Sequence, residues 1–245
     1  MTNSNLDLDY IQLIREKDLK YLSNSYLIEK DLMPQLGIND ELNQEIGYFP
    51  EELNECNKNG LKIWQYPIQF SKYLVYLSKL NISSYLEIGV RWGGSFILTV
   101  EYLNKFHPLI KAVAIDINDC PAITEYSKIN PRLQFKKLNS TSIEFKKFIN
   151  SGVEFDLAFI DGDHSEEGCW NDFLLMKNRS NLIVFHDIYN DWCMGVVNVW
   201  KRLKKEYSEH YYFIEFIDQY NSITKQGKKF MGIGLIIKKN RFKND

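Results

Sequence analysis

Gly89, Gly93 and Gly94 follow a short apolar run in the stretch YLEIGVRWGGSF (85–96). A glycine turn between a strand and a helix lets a ligand approach the backbone, and the first N–H groups of the helix are free to bind it. Phosphates use such turns most often, but Arg91 stands where a dinucleotide fingerprint needs its middle glycine. The Glu87 carboxylate would also repel a phosphate, and the absence of a following G-K-[ST] excludes a P-loop.

These residues favour a ligand that carries a nucleoside and positive charge but no phosphate. S-adenosylmethionine (SAM) fits this description, because it has a sulfonium, an ammonium group and a ribose diol. Asp116 follows Gly94 by 22 residues, close to the spacing of about 20 residues at which a strand-end carboxylate accepts from ribose hydroxyls. Alone, Asp116 would be interpreted as a solvent-facing acid, but behind this turn the ribose is its favoured partner.

The elements that must position these residues begin near residue 84. Short β-branched and aromatic runs alternate with amphipathic stretches, which predicts an α/β fold with a mostly parallel sheet. We expect seven strands, at 84–90, 111–117, 132–138, 155–161, 181–187, 211–217 and 232–238. We expect helices at 94–106, 121–129, 142–150, 168–178 and 194–207, the third capped by Thr141 or Ser142. The last two strands leave no room for a helix and are expected to form a hairpin with one strand antiparallel at the edge.

Residues 1–80 have a different character, being polar, asparagine-rich and helical only in places. They predict an N-terminal helical extension to a domain at 81–245. The aromatic-rich segment 61–77 is predicted to pack on the sheet as a helix. The alternative is a lid in which Trp64, Tyr66 and Gln69 contact the ligand. The extension could also form a dimer interface, so a homo-oligomer remains an open alternative.

Composition limits the partners. The formal net charge is −2, with 30 Lys and Arg against 32 Asp and Glu, so no basic surface for nucleic acid is indicated. The apolar runs are too short to span a bilayer, and the N-terminus has no basic region followed by an apolar one. These features predict a cytoplasmic protein. The four cysteines are scattered without a C-x-x-C pair, which is typical of reduced core thiols.

Four motifs, in this order and spacing, resemble the class I SAM-dependent methyltransferases: E-I-G-V-x-x-G-G-S, A-I-D, F-D-L-A-F-I-D-G-D-H-S-x-E-G and V-F-H-D-I. The likeness covers residues 84–238 and is closest to the small-molecule branch with a D-G-D-H motif, which includes sugar and natural-product O-methyltransferases. It implies a Rossmann-like, doubly wound sheet whose seventh strand is antiparallel.

The resemblance also implies roles for individual residues. The cofactor-binding set is Glu87, Gly89, Gly93, Gly94, Ser95, Asp116, Ser140 and Asp161. The glycines lie under the methionine part, with Glu87 and Ser95 near it. Asp116 binds the ribose, and Ser140 lies near the adenine. Asp161 ends the fourth strand at the methyl-transfer centre.

Asp161, His164, His186 and Asp187 are the implied catalytic residues, which deprotonate the hydroxyl of a small-molecule acceptor. Metal-dependent relatives hold Mg²⁺ at the positions of Asp161 and Asp187, but His186 stands where they often carry a carboxylate. Mg²⁺ prefers oxygen ligands. The alternatives are therefore Mg²⁺, a softer ion such as Mn²⁺ or Fe²⁺ with His186 as a third ligand, or no metal and a histidine base.

Other functions remain open at the level of sequence. An N-methyltransferase would use the same cofactor turn. An NAD-dependent oxidoreductase would use a similar sheet, although Arg91 disfavours it. A SAM-binding subunit without catalytic activity is a third alternative.

Overall fold

The computed structural model describes residues 6–38, 47–56 and 60–239. In these ranges the central element is a seven-stranded sheet with strand order β3-β2-β1-β4-β5-β7-β6. The strands are β1 Ser84–Ile88, β2 Lys111–Asp116, β3 Leu133–Lys137, β4 Phe155–Ile160, β5 Ser180–His186, β6 Tyr211–Phe216 and β7 Ile233–Lys238. Only β7 of these strands is antiparallel to the others. The predicted α/β class, the Rossmann-like doubly wound sheet and the antiparallel last strand are confirmed.

The connection between the last two strands differs from the prediction. A short helix, Asn221–Lys225, lies between them, so they do not form a tight hairpin. The antiparallel strand is also not at the edge, because β7 lies between β5 and β6. The strand sequences give the reason. The run IGLIIK of β7 is buried except for its last residue, whereas YYFIEF of β6 has exposed positions, as an edge strand does.

Helices cover both faces of the sheet. They are α1 Leu8–Glu16, α2 Leu19–Leu22, α3 Ser25–Leu27, α4 Met33–Leu36, α5 Pro67–Leu77, α6 Gly94–Phe106, α7 Pro121–Ile129, α8 Ile143–Asn150, α9 Glu166–Met176, α10 Met194–Glu206 and α11 Asn221–Lys225. A π-helical turn, Ile28–Leu32, joins α3 to α4, and Glu51–Cys56 is a 3-10 helix. All the helices expected between strands are present. No helix in the described ranges is long and apolar enough to cross a membrane.

Side-chain caps set two of the helix starts beside the cavity described below. The Ser142 hydroxyl accepts from the Phe145 N–H at the start of α8, which confirms one of the two predicted caps. The Ser165 hydroxyl accepts from the Gly168 N–H, so α9 begins at Glu166 rather than at the predicted residue 168. Both serines end loops that follow strands of the sheet.

Strand β1 shows how the sheet divides its core into two layers. Successive residues of a strand point to opposite faces. Tyr85 packs in the layer beneath α5 and α6, and Leu86 and Ile88 pack in the other layer. Glu87 shares the face of Tyr85, whose hydroxyl donates a hydrogen bond to it. The strand therefore carries a buried acid to the start of the glycine turn.

Two helices of the N-terminal residues pack on this sheet domain. Helix α1 lies along α6, where the Arg15 guanidinium contacts the Glu101 carboxylate at 2.7 and 2.9 Å. Helix α5 lies on the sheet, with the buried Tyr73 ring against Phe159 and Phe216. Segment 61–77 is thus helical from residue 67 onward. Its first part, up to residue 66, is not helical and runs beside the glycine turn.

Candidate active site

The carboxyl ends of five neighbouring parallel strands, β3 to β5 in the sheet order, surround a cavity of about 850 Å³. Ligands of open α/β sheets bind at this edge. The cavity is lined by these predicted site residues: Glu87, Gly89, Ser95, Asp116, Ser140, Asp161, His164, His186 and Asp187. Gly93 and Gly94 were also predicted for the site but do not line the cavity.

The three glycines of the turn are needed for different reasons. Gly89 has a φ of +85°, and a Cβ there would lie 2.1 Å from the Asp161 carbonyl oxygen, so the turn touches the end of β4. Gly93, with a φ of +87°, caps α6, and a Cβ on it would meet the Ile123 side chain at 2.6 Å. A Cβ on Gly94 would lie 2.0 Å from the Leu61 carbonyl oxygen. Gly93 and Gly94 therefore permit close packing around the turn.

Asp116 connects the end of β2 to the glycine turn. Its Oδ2 accepts from the backbone N–H groups of Val90 at 3.0 Å and Arg91 at 2.9 Å, and its Oδ1 accepts from the Asn118 N–H at 2.8 Å. A carboxylate offers about four acceptor positions. The side chain lines the cavity, so one position is left for the ribose hydroxyl that the sequence predicts.

Glu87 lies buried below the turn. It is 3% exposed and accepts a hydrogen bond from the Tyr85 hydroxyl. Burial raises the pKa of Glu87 to about 8, because removal from water disfavours the charged form. The acid at the turn is therefore held mainly neutral at pH 7.

Asp161, His164, His186 and Asp187 form one cluster at the ends of β4 and β5. Asp161 Oδ1 lies 3.2 Å from both His164 Nε2 and His186 Nδ1. His186 Nδ1 is also 3.3 Å from Asp187 Oδ1, and His164 Nδ1 is 3.6 Å from Asp187 Oδ2. Each imidazole thus contacts both carboxylates. His164 is the most accessible member, with 43% of its side chain exposed, whereas His186 is 3% exposed.

Two residues of the loop after β5, not predicted from the sequence, complete the cluster. The Asn190 amide donates to Asp187 Oδ1 at 2.7 Å, and Cys193 Sγ lies 3.2 Å from His164 Nδ1. Cys193 is only partly buried, so the prediction of a core thiol is wrong for this residue. The three other cysteines are buried. Asp187 has a φ of +63°, a conformation that Asp and Asn tolerate better than most residues. The sequence feature that could have identified Asn190 was its spacing of three residues from Asp187.

The charges of the cluster depend on one another. The hydrogen bond to Asp161, followed by that to Cys193, raises the pKa of His164 to about 12. Burial alone would lower the pKa of His186, but the Asp161 and Asp187 carboxylates raise it. Burial alone would likewise raise the pKa of Asp187, and the His186 imidazole lowers it well below its usual range. Asp187 is therefore held ionised, and both imidazoles are favoured in their protonated form.

The cluster also has the donor groups of a metal site. Asp161, His186 and Asp187 each offer a ligand atom within 4.8 Å of the others, and His164, Asp187 and Cys193 form an overlapping set. These donors are oxygen, nitrogen and sulfur. Mg²⁺ prefers oxygen alone, whereas Mn²⁺, Fe²⁺ and Zn²⁺ accept imidazole. The residues fit a transition-metal ion better than Mg²⁺.

The N-terminal extension reaches the cavity through Trp64 and Gln65. Of the three residues named in the lid alternative, Trp64 is the one that lines the cavity. The buried Tyr66 hydroxyl donates to the Tyr48 carbonyl. Gln69 is fully buried between loop backbones, bonded to the Asp218 carbonyl at 2.8 Å and the Gly232 N–H at 2.9 Å. Gln65 was not predicted, because an isolated glutamine in an aromatic run carries no sequence signal.

Comparison with known proteins agrees with this geometry. Residues 86–188 match the family described as "Methyltransferase domain". The O-methyltransferase TomG from Streptomyces achromogenes, involved in tomaymycin synthesis and solved with SAM, is 14% identical, with a TM-score of 0.53 over 72% of this chain and 81% of TomG. The O-methyltransferase from Bacillus cereus, solved with SAH, is also 14% identical, with a TM-score of 0.53 over 84% of this chain and 100% of that chain. No curated protein matches the sequence.

The fold and the position of the cavity define a class I methyltransferase architecture. Within it, residues 86–188, which carry the glycine turn, Asp116 and the Asp161 to Asp187 cluster, match a methyltransferase domain. The match agrees with the predicted methyltransferase class, and the two solved O-methyltransferases share the fold.

Proposed function

We propose that the protein transfers the methyl group of SAM to a hydroxyl of a small polar acceptor, such as a sugar or a natural-product intermediate. One observation carries the proposal. Asp161, His164, His186 and Asp187 converge on the same cavity as the glycine turn, so groups that can take a proton face the place where the cofactor binds. The cavity volume lies within the range of about 300–1,000 Å³ that is usual for small-molecule sites.

The chemistry assigns different tasks to the four residues. As the hydroxyl oxygen forms its bond to the methyl carbon, the sulfur–methyl bond breaks, SAH leaves and the hydroxyl proton must be accepted. The Asp161 carboxylate lines the cavity and is placed to receive it, with the His164 imidazole 3.2 Å away to orient it. The buried His186 and Asp187 hold Asp161 in position. Alignment of the acceptor with the sulfonium supplies much of the remaining rate enhancement.

A divalent ion would be held by Asp161, His186 and Asp187. Bound there, it would lower the pKa of the acceptor hydroxyl and orient it. The nitrogen donor favours Mn²⁺ over Mg²⁺ at this position.

Oxygen is favoured over nitrogen as the methyl acceptor for two reasons. A hydroxyl is a weak nucleophile until its proton is removed, so it needs the base that the cluster supplies. TomG and the Bacillus cereus enzyme, whose folds this chain shares, are described as O-methyltransferases.

The first experiment is calorimetric titration with SAM, SAH and NAD⁺, each with and without Mn²⁺ or Mg²⁺. We expect SAM and SAH to bind and NAD⁺ not to bind. Turnover is then followed by SAH release over a panel of sugars and other hydroxyl compounds. Asp161→Asn and His164→Asn should bind SAM normally and lose about 10²- to 10⁴-fold in rate, whereas His210→Asn, remote from the cavity, should not. NAD⁺ binding without SAM binding would overturn the proposal, and undiminished turnover in both cluster variants would refute the assigned roles.

A further inference from the structure

We infer that Gln65 and Arg91 are positioning residues that hold the amino-acid part of SAM, Gln65 accepting from its ammonium group and Arg91 binding its carboxylate. The inference rests on the proposed function, in which SAM is the cofactor. It assigns a cofactor contact to the N-terminal extension, since Gln65 lies outside the matching region 86–188.

The backbone places Gln65 at the turn end of the cavity. The Leu61 carbonyl oxygen and the Ile63 nitrogen lie 2.0 and 3.0 Å from the position of a Cβ on Gly94, so the segment touches the start of α6. One residue further, the Trp64 ring lies 4.6 Å from the Arg91 guanidinium carbon. Segment 61–65 therefore crosses the glycine turn, and Trp64 and Gln65 line the cavity there.

Gln65 presents an acceptor without a donor. The residue is 2% exposed and lines the cavity, and its Oε1 has no hydrogen-bond partner among the described residues. Leaving a buried carbonyl oxygen unpaired costs about 1–3 kcal/mol, so a ligand that donates to it gains affinity. SAM has an ammonium group at its methionine end and its other donors at the nucleoside end. A glutamine at the turn end meets the ammonium group.

Arg91 is distinguished by its charge. The cavity is lined by six acidic residues: Glu87, Asp116, Asp119, Asp161, Asp163 and Asp187. Among the described lining residues, Arg91 is the only lysine or arginine. This balance suits the sulfonium and the ammonium group. The two histidines of the lining face the Asp161 carboxylate, so Arg91 is the cation placed at the turn for the carboxylate of SAM. Because the guanidinium stacks on the face of Trp64, the N–H groups along its edge can bind a carboxylate.

Three ligands that differ in these two groups make the test selective. SAM has both groups, decarboxylated SAM has the ammonium group alone, and 5′-methylthioadenosine has neither. Calorimetry would measure each ligand on the full chain for the wild type, Arg91→Gln and Gln65→Met. Lys62→Gln is the matched control, because Lys62 lies 4.6 Å from the Trp92 ring but does not line the cavity.

Each variant has its own expected pattern. Arg91→Gln should weaken SAM roughly 10- to 100-fold and leave decarboxylated SAM within about twofold, since bonds between charged groups contribute about 1.5–3 kcal/mol. Gln65→Met should weaken SAM and decarboxylated SAM about tenfold each and leave 5′-methylthioadenosine unchanged. Lys62→Gln should change none of them.

Three other outcomes would contradict the inference or the proposed function, and they can be told apart. If a variant weakens all three ligands equally, its residue acts only on the structure of the segment, and the inference is wrong. If SAM affinity is unchanged in both variants while the wild type binds SAM, the inference fails and the methyltransferase proposal stands. If the wild type binds none of the ligands, both fail.

Discussion

The two halves of the cavity are built in different ways. At the end of β1, shape comes from the backbone: Gly89 leaves no space for a Cβ beside the Asp161 carbonyl, and the Asp116 carboxylate is used mainly on backbone N–H groups. At the ends of β4 and β5, shape comes from side chains that hold one another by charge, Asp161 and Asp187 with the two imidazoles. We call these the turn half and the cluster half of the cavity. We expect substitutions in the turn half to destabilise the fold by steric conflict, and substitutions in the cluster half to destabilise it by loss of charge.

The pKa values of Glu87 and Asp187 reflect this difference between the two halves. Both acids are buried and line the same cavity. Burial raises the pKa of Glu87 to about 8, and the hydrogen bond from the neutral Tyr85 hydroxyl lowers it too little to offset this. Burial acts on Asp187 in the same direction, but the His186 imidazole reverses it and lowers the pKa. The partner, and not the depth of burial, decides which acid is charged.

The largest effect is expected for Gly89→Ala. The new Cβ would lie 2.1 Å from the Asp161 carbonyl oxygen, and the φ of +85° disfavours any side chain. Overpacking and the left-handed backbone together should lower the free energy of unfolding by about 4 kcal/mol. Urea denaturation would measure the change.

Gly152→Ala is the matched control for the backbone term. Gly152 has a φ of +90°, but a Cβ on it meets nothing within 4 Å. Gly152→Ala should lower the free energy of unfolding by about 1 kcal/mol. Equal costs for the two substitutions would show that the contact with Asp161 has no energetic weight and would break the comparison at its first point.

The second effect concerns the cluster half. Asp187→Asn keeps the shape and tolerates the φ of +63°, but it removes a buried charge that faces His186 at 3.3 Å. The free energy of unfolding at pH 7 should fall by about 3 kcal/mol, and added salt should change this little, because the pair is buried. Denaturation at two ionic strengths would measure it.

An exposed ion pair provides the reference for this substitution. Lys128 contacts Glu125 at 2.7 Å, and both side chains are largely exposed. Lys128→Gln should lower the free energy of unfolding by less than about 0.5 kcal/mol, and added salt should remove this difference. A similarly small cost for Asp187→Asn would mean that charge does not hold the cluster together.

Glu87→Gln tests the neutral acid of the turn half by its pH dependence. The pKa of Glu87 is raised from 4.5 to about 8 in the folded protein. The folded state therefore holds a proton that the unfolded state releases, and the stability of the wild type falls relative to the variant as pH rises from 4.5 to 8. The variant should be more stable than the wild type at pH 8, because it carries no carboxyl group that ionises on unfolding.

Thermal unfolding of both proteins across this pH range would measure the difference. It should vanish below pH 4.5, where Glu87 is neutral in both states. A constant difference at all pH values would show that Glu87 is ionised in the fold, and the two halves would then no longer differ in charge state.

The parts of the fold that follow local patterns were predictable from the sequence. Strands β1 to β5 and the helices between them carry apolar runs, caps and a proline at Pro121, and each was placed within a few residues. The position of β7 between β5 and β6 was not predictable in this way, because pairing depends on which apolar strand has a neighbour on both sides. The continuous run GIGLII was the available signal, since a strand with two neighbours and two covered faces is apolar throughout.

The candidate site divides in the same way. The motifs indicated Asp161, His164, His186 and Asp187, because strand ends fix their positions, and the structure brings all four together. Gln65 reaches the cavity, and Cys193 reaches His164, through loops whose paths depend on tertiary packing that no local pattern encodes. Gly93 and Gly94 shape the turn by close packing, and a glycine needed for packing looks the same in sequence as one that contacts a ligand.

The smallest expected effect would show whether Asp116 belongs wholly to the turn half. Asp116→Asn retains one acceptor oxygen, which can serve both N–H groups of the turn that Oδ2 now serves. The Asn118 N–H then loses its partner, and the free energy of unfolding should fall by about 1 kcal/mol. If the carboxylate also accepts from the ribose, this loss should increase in saturating SAM, because a ligand stabilises the fold in proportion to the logarithm of its affinity. Thermal unfolding with and without SAM separates the two roles. An equal loss in both conditions would make Asp116 a support of the backbone alone, and the predicted ribose contact would then have to come from another side chain of the cavity.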